Sequence, residues 1–360
     1  MKMDGEQIYR AHPMEKQFDA DTRRRTAITR AIRIWFVLAG LAAAALVIAI
    51  SVGSSHIPIA DVVRLLFHPQ DNAASAVIHQ LRLPRALAAF ATGGLLAVAG
   101  ALMQVLLRNP LADPYVLGLS GGSAVGALGA MVLGLGTLFI NLGAFAGALL
   151  TVVLVFAFAN RDMARLQVSG VLDASPRLLL TGVVLASGWT AIVTVILTVA
   201  PEAKLRGMVF WLMGDLGGAD SYAVVMTGLC VAVALVYPMA RELNVMLRGQ
   251  ALAHALGVRV VRLRRTVYLV ASLATALAVT RAGSIGFVGL IVPHALRLII
   301  GNDQRVLLPA CAIAGGTLLL LADTAARTLF APQQLPVGVV TALLGVPSFL
   351  FLLLRKGGQR

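Results

Sequence analysis

The sequence predicts an all-α polytopic membrane protein of about ten transmembrane helices, with both termini in the cytoplasm. Three observations carry this. The chain of 360 residues is 59% hydrophobic and only 13% charged, too little charge to clothe a soluble protein of that length. Apolar runs of about 20 residues recur along it, the length that crosses roughly 30 Å of hydrocarbon. They are continuous rather than alternating, which points to helices and away from a β-barrel. Lys and Arg are also unevenly shared between alternate loops. With ten spans and the N-terminus inside, 23 of the 30 Lys and Arg fall in cytoplasmic segments, as the positive-inside rule requires. The net charge of +14 is therefore a mark of sidedness, and no nucleic-acid partner is predicted.

Residues 1–33 read as a basic cytoplasmic arm, and residues 34–360 as the transmembrane domain. No cleavable signal peptide is recognised in the polar, basic start. The first span is predicted over about Ile34–Val52 and the second over about Pro84–Leu107, where proline at a helix start costs no hydrogen bond. Asn109-Pro110 and Asp113-Pro114 stop one helix and start another. The third span, about Tyr115–Gly136, carries Gly118, Gly122, Gly126 and Ala130 at four-residue intervals, a face that lets a neighbouring helix approach closely. The fourth and fifth spans follow over about Phe139–Asn160 and Leu179–Val199. Met208–Met213 is too short to cross and reads as an interfacial helix with Trp211 at headgroup depth. The sixth span is about Tyr222–Met239. A polar loop, Arg241–Arg265, then holds a short helix over Gly249–Leu256, stopped by Gly257. The last four spans are predicted over about Val267–Thr280, Ser284–Ile300, Val306–Ala325 and Val337–Leu354. Pro293-His294 reads as an irregularity in the eighth span rather than a metal ligand. Cys230 and Cys311 lie in apolar spans and read as packing residues.

The chemistry carried by these spans is sparse. No GxxxxGK[ST] loop, HExxH or paired-carboxylate site is present, so no nucleotide site or metal centre is predicted, no cofactor is implied, and the chain does not read as an enzyme. A transport path is the remaining reading, and it needs a driving force. Asp323 is the main acid within a span, where ionisable groups are usually functional. Arg327 follows it by one turn and pairs with it. A proton-coupled secondary transporter working through Asp323 is thus one reading. The other is that a partner drives transport, with the Arg241–Arg265 loop as its contact.

Several blocks favour the second. They are LRLPRALAAFATGGLLAVAGALMQVLLRNPLADPYVLGLSGGSAVGA, RLLLTGVVL, MVFWLMGDLGG, ALAHALGV, GSIGFVGLIVPHALRL, LADTAAR and LPVGVVTALLGVPSFLFLLLR. From about residue 34 to the end the chain resembles the permease family of binding-protein-dependent ABC importers for iron-siderophore, haem and cobalamin (FecCD-type). The resemblance implies a type II importer permease with ten spans per subunit, working as a homodimer in the cell inner membrane. Two cytoplasmic ABC ATPase subunits and a periplasmic substrate-binding protein would be its partners, with a metal chelate as cargo.

Residue roles follow from the same resemblance. The segment that meets the ATPase matches Gln250, Ala251, Leu252, Ala253, His254, Ala255, Leu256 and Gly257. Arg82 and Arg85 in LRLPR, and Arg327 in LADTAAR, match arginines that receive the binding protein in the cobalamin permease. The cytoplasmic gate matches Ala174, Ser175 and Pro176, where only Ser175 keeps a hydroxyl. Gln334 stands where many members have Glu.

Overall fold

In the computed structural model, which describes residues 13–53, 57–169, 175–218 and 222–357, helices joined by short turns and loops make up the described residues, with no strand among them. α1 (Pro13–Ser51) leads to a short surface helix, α2 (Ile59–Phe67), and to α3 (Ala73–Ala76). A π-helical turn, Val77–Arg82, joins α3 to α4 (Leu83–Leu106). A 3₁₀ turn, Pro114–Leu117, precedes α5 (Leu119–Val132), followed by α6 (Thr137–Ser169), α7 (Ser175–Val199) and α8 (Glu202–Met213). α9 (Ala223–Val236) continues through a 3₁₀ turn into α10 (Ala240–Arg248) and α11 (Gln250–Ala255). α12 (Val260–Ala282), α13 (Val288–Ile300), α14 (Gln304–Thr328) and α15 (Val337–Gly357) complete the bundle. Among the described residues, seven stretches are long and apolar enough to cross a membrane, and α5, α13 and the apolar part of α15 add three shorter ones. These ten follow the predicted order of spans.

α4 is the axis of the bundle. It packs on α14, α12, α13 and α9, and every residue from Thr92 to Leu106 is buried. A helix apolar on all faces has no other stable place than the interior. Glycine sets the spacing of its neighbours. A Cβ on Gly100 would fall on the Gly289 carbonyl of α13, and one on Gly93 would fall on the Gly315 carbonyl of α14. Backbones in contact are the usual means of association where lipid offers no hydrophobic driving force. The predicted small-residue face of the third span works the same way: Gly122 and Gly126 of α5 meet Gly147 and Gly143 of α6. Gly118 instead sits at φ +77 and closes the preceding 3₁₀ turn.

Several boundaries differ from those the sequence predicts, each for a local reason. The third span starts at Leu119 rather than Tyr115, because Asp113 caps the Tyr115 N–H at 2.8 Å and holds a separate turn. The eighth starts at Val288 rather than Ser284, since Gly283 (φ +66) and Phe287 (φ +70) break the helical path. The seventh begins earlier, at Val260, so Arg262, Arg264 and Arg265 lie on a helix and not in a loop. The short helix around Trp211 is longer than predicted, opening at Glu202 behind Pro201. It buries Met208 against Ala127, Leu128 and Ala144, and Lys204 Nζ donates to the last-turn carbonyl of Val132 at 3.0 Å.

Pro293 lies inside α13, as predicted. Proline leaves the carbonyl four residues earlier, Gly289, without its helical donor. Gln104 of α4 faces that gap, with Nε2 3.2 Å from the Leu290 carbonyl and 3.5 Å from that of Gly289. Its Oε1 accepts from Arg297 Nη1.

Candidate functional site

The C-terminal ends of α1 and α14 meet the N-terminal ends of α4 and α15, and polar side chains converge there. Asp323 of α14 is 1% exposed. Arg85 of α4 grips it with two donors, Nη2 to Oδ1 at 2.8 Å and Nε to Oδ2 at 3.0 Å, the forked geometry that makes such pairs strong. Arg327, one turn along α14, places Nε 3.4 Å from Oδ2 and donates through Nη2 to the Ala49 carbonyl at 2.9 Å. Arg85 Nη1 reaches Gln334 Oε1, ahead of α15, at 3.3 Å.

Arg82 has a different task. Its Nη1 donates to the carbonyls of Ile50 and Ser51 at 2.7 and 3.1 Å. Together Arg82 and Arg327 satisfy carbonyls in the last turn of α1, where a helix has no donors of its own and its dipole favours a cation. The π-helical turn over Val77–Arg82 resets the register just before α4, as π-bulges at functional sites do. Gly53 leaves room for the guanidinium, since a Cβ there would stand 2.7 Å from Arg82 Nη2.

Arg82, Arg85 and Arg327 thus form one cluster around Asp323, with more positive than negative charge. The sequence pointed to the Asp323–Arg327 pair through its i, i+4 spacing, but not to Arg85, which lies 238 positions from Asp323. No local signal announces that contact. Arg82 is 6% exposed, so its guanidinium is turned inward, towards α1.

The opposite end of the bundle carries the other group. α10 and α11 are separated by Gly249 at φ +137, and Gly257 at φ +78 ends the pair. Ala253 is fully buried, whereas Leu252 and Leu256 are 44% and 63% exposed. Val258 N–H donates to the Ala253 carbonyl at 2.9 Å and closes the turn. Of the matched segment, Ala253 anchors the short helix inward, while Ala251, Leu252, His254, Ala255 and Leu256 form an exposed surface. α10 is braced on the start of α14: Asn244 Nδ2 donates to Asp303 Oδ1 at 2.7 Å, and its Oδ1 accepts from Gln304 N at 2.8 Å. Of the residues matched to a gate in the sequence, Ser175 and Pro176 open α7, with Pro176 in the first turn where no N–H is needed. Ala174 lies outside the described residues.

Fold and sites define a multi-pass transport permease of the inner membrane, and comparison with known proteins makes the class specific. The FecCD transport family matches residues 41–355, and the chain belongs to that family. It is 42% identical over 283 residues to the cobalamin import system permease protein BtuC of Halobacterium salinarum, covering 78% of this chain and 74% of that one. It is 39% identical over 284 residues to the vitamin B12 import system permease protein BtuC of Escherichia coli, covering 78% and 84%. A solved inward-facing metal-chelate type ABC transporter superposes with TM-score 0.78 at 30% identity, over 90% of this chain and 99% of that one. PsaBC from Streptococcus pneumoniae shares the fold, with TM-score 0.52 at 19% identity over 82% and 95%. The general role is that of an ABC importer permease.

Proposed function

We propose that this chain is the membrane-spanning subunit of an ATP-driven importer that moves a metal chelate from periplasm to cytoplasm, with a corrinoid as the first cargo to test. The observation that carries this is the 42% identity over 283 residues to a cobalamin permease. Iron-siderophore and haem chelates are the alternatives within the same chemistry. A second copy of the chain, two cytoplasmic ATPases and a periplasmic binding protein complete the transporter. The exposed surface of α11 receives the ATPase, and the arginines beside Asp323 receive the binding protein. Arg85 takes the leading part, because Arg82 and Arg327 both hold carbonyls at the end of α1.

The physics suits a bulky cargo. A path that must release a chelate should be apolar, small-residue and weakly sticky, unlike an ion filter built from carbonyls. α7 is 6% buried over its apolar window, so its surface is available to a second copy and to such a path. Direction comes from ATPases that bias a two-state dimer. A proton relay through Asp323 suits the geometry poorly, because both carboxylate oxygens are already held by arginines.

Reconstitution with the cognate ATPase and binding protein tests the proposal. Vesicles should accumulate cobalamin only with ATP inside the ATPase compartment, and should continue to do so with an uncoupler present. Accumulation that needs no ATP and collapses with the proton gradient would establish the secondary-transporter reading instead. Accumulation of a ferric chelate but not cobalamin would keep the class and change the cargo.

A further inference from the structure

α10 meets the start of α14 through one side chain that both donates and accepts. Asn244 Nδ2 donates to Asp303 Oδ1 at 2.7 Å, and Asn244 Oδ1 accepts from the Gln304 N–H at 2.8 Å. These partners lie 59 and 60 positions away in the chain. α14 has its own N-cap without Asn244. The Asp303 carboxylate accepts from the Arg305 N–H at 3.0 Å, and the Asp303 carbonyl accepts from Val306 and Leu307, as an N-cap residue does. What Asn244 adds is a tie between two elements. Two bonds of opposite sense to one helix end fix orientation as well as distance, and the bond to a carboxylate is charge-assisted. The inner face of α10 is apolar, with Ala240, Leu243 and Met246 buried, and apolar contact has no direction. Asn244 is therefore the contact that keeps α10 from sliding or turning on α14.

The joint stands between the two candidate sites. On one side is α11. Gly249 N–H donates to the Met246 carbonyl at 3.2 Å, and Ala253 N–H to the Gly249 carbonyl at 3.0 Å, so α10 and α11 are hooked together across one glycine. On the other side is α14, a helix about 37 Å long at 1.5 Å per residue. Pro309 removes a ladder bond only near its start. Its backbone meets that of α4 at Gly315 and Gly93, and its far end carries Asp323 and Arg327. Movement of α11 thus has a hydrogen-bonded route into the helix that ends at the Asp323 cluster. Packed helices joined by hydrogen bonds are the physical means by which distant sites are coupled.

We propose that Asn244 is a positioning residue for transport, the contact that passes movement of ATPase-bound α11 into α14 and so to the Asp323 cluster. The inference rests on the reading that α11 receives the ATPase, and adds the joint through which that binding is felt at the other end of the bundle. It does not depend on which chelate is carried. The chemistry of the pair is asymmetric. Aspartate at 244 has no donor to offer and repels the Asp303 carboxylate, whereas asparagine at 303 keeps the acceptor that Asn244 uses.

The test uses the full chain assembled with its cognate ATPase, with and without a non-hydrolysable ATP analogue. Amide hydrogen exchange is read at residues 324–330, the far end of α14. In the wild type the analogue should change exchange there about fivefold, the low end of couplings between sites. Asn244→Ala and Asn244→Asp should lose that response while the ATPase still co-purifies. Asp303→Asn should keep it, and adding Asp303→Asn to Asn244→Asp should restore part of it. Where Asn244→Ala fails to assemble, Asn244→Asp and its suppressor still decide, because both keep the side-chain volume. A full response in Asn244→Ala and Asn244→Asp, with only a lower unfolding midpoint, would overturn the inference and leave Asn244 a structural brace. The same result together with loss of the ATPase in Leu256→Asp would leave the α11 reading standing. ATPase retained equally by Leu256→Asp would overturn both. A wild type with no response at residues 324–330 would also overturn the inference.

Discussion

At the scale of single residues, Asp323 is the hinge of the evident chemistry. It is buried, and two guanidiniums from different helices close on it. Removing one member of such a set strands the others, which costs about 3–5 kcal/mol for a fully buried pair. The arginine side chains are 16% and 12% exposed, so water takes up part of that cost. Asp323→Asn should therefore lower the unfolding midpoint by several degrees while leaving uptake insensitive to an uncoupler. Thermal unfolding and uptake in vesicles check the two halves. A variant that unfolds normally but loses only gradient-driven uptake would restore Asp323 to a proton relay.

At the scale of elements, the crossing of α4 with α13 and α14 rests on glycines rather than on interlocking side chains. Gly100 faces the Gly289 carbonyl, which cannot yield without moving the half-length helix α13. Gly100→Ala should abolish stable folding or reduce the amount of extractable permease at least severalfold, since overpacking against backbone exceeds the usual 1–3 kcal/mol of a core insertion. Gly129→Ala on α5 is the control, because nothing lies within 4 Å of the added methyl. Expression followed by size-exclusion chromatography separates the two outcomes. The same close approach explains why α13 can be short. Gly283 and Phe287, both at positive φ, turn the chain so that the helix begins within the bundle beside Pro114 and Leu96.

At the scale of the whole molecule, the two polar ends lie on the same helices, α4 and α14. Events at the α11 surface can therefore reach the Asp323 cluster through packed backbone. This is a proposal about coupling, and it has a clean probe. Ala253 is fully buried, so a bulky side chain there would disturb packing as well as contact. Leu256 is 63% exposed and reports contact alone. Leu256→Asp should leave the unfolding midpoint within about 0.5 kcal/mol of wild type in stability while lowering ATP-driven uptake at least tenfold. Unchanged uptake with bound ATPase would remove α11 from the mechanism.

The sequence by itself determined the class of this protein, the order of its ten spans, the position of the short helix before Gly257 and the pairing of Asp323 with Arg327. The class rests on the family resemblance of the quoted blocks, and the others on local physics: hydrocarbon thickness, helical period and the left-handed freedom of glycine. Only the tertiary structure decided that Arg85 shares Asp323, that Arg82 turns inward to the last carbonyls of α1, and that Gln104 faces the carbonyls freed by Pro293. Those facts come from helices far apart in the chain being drawn together by backbone contact at Gly93 and Gly100. A single sequence records the glycines but not which carbonyl each one will meet.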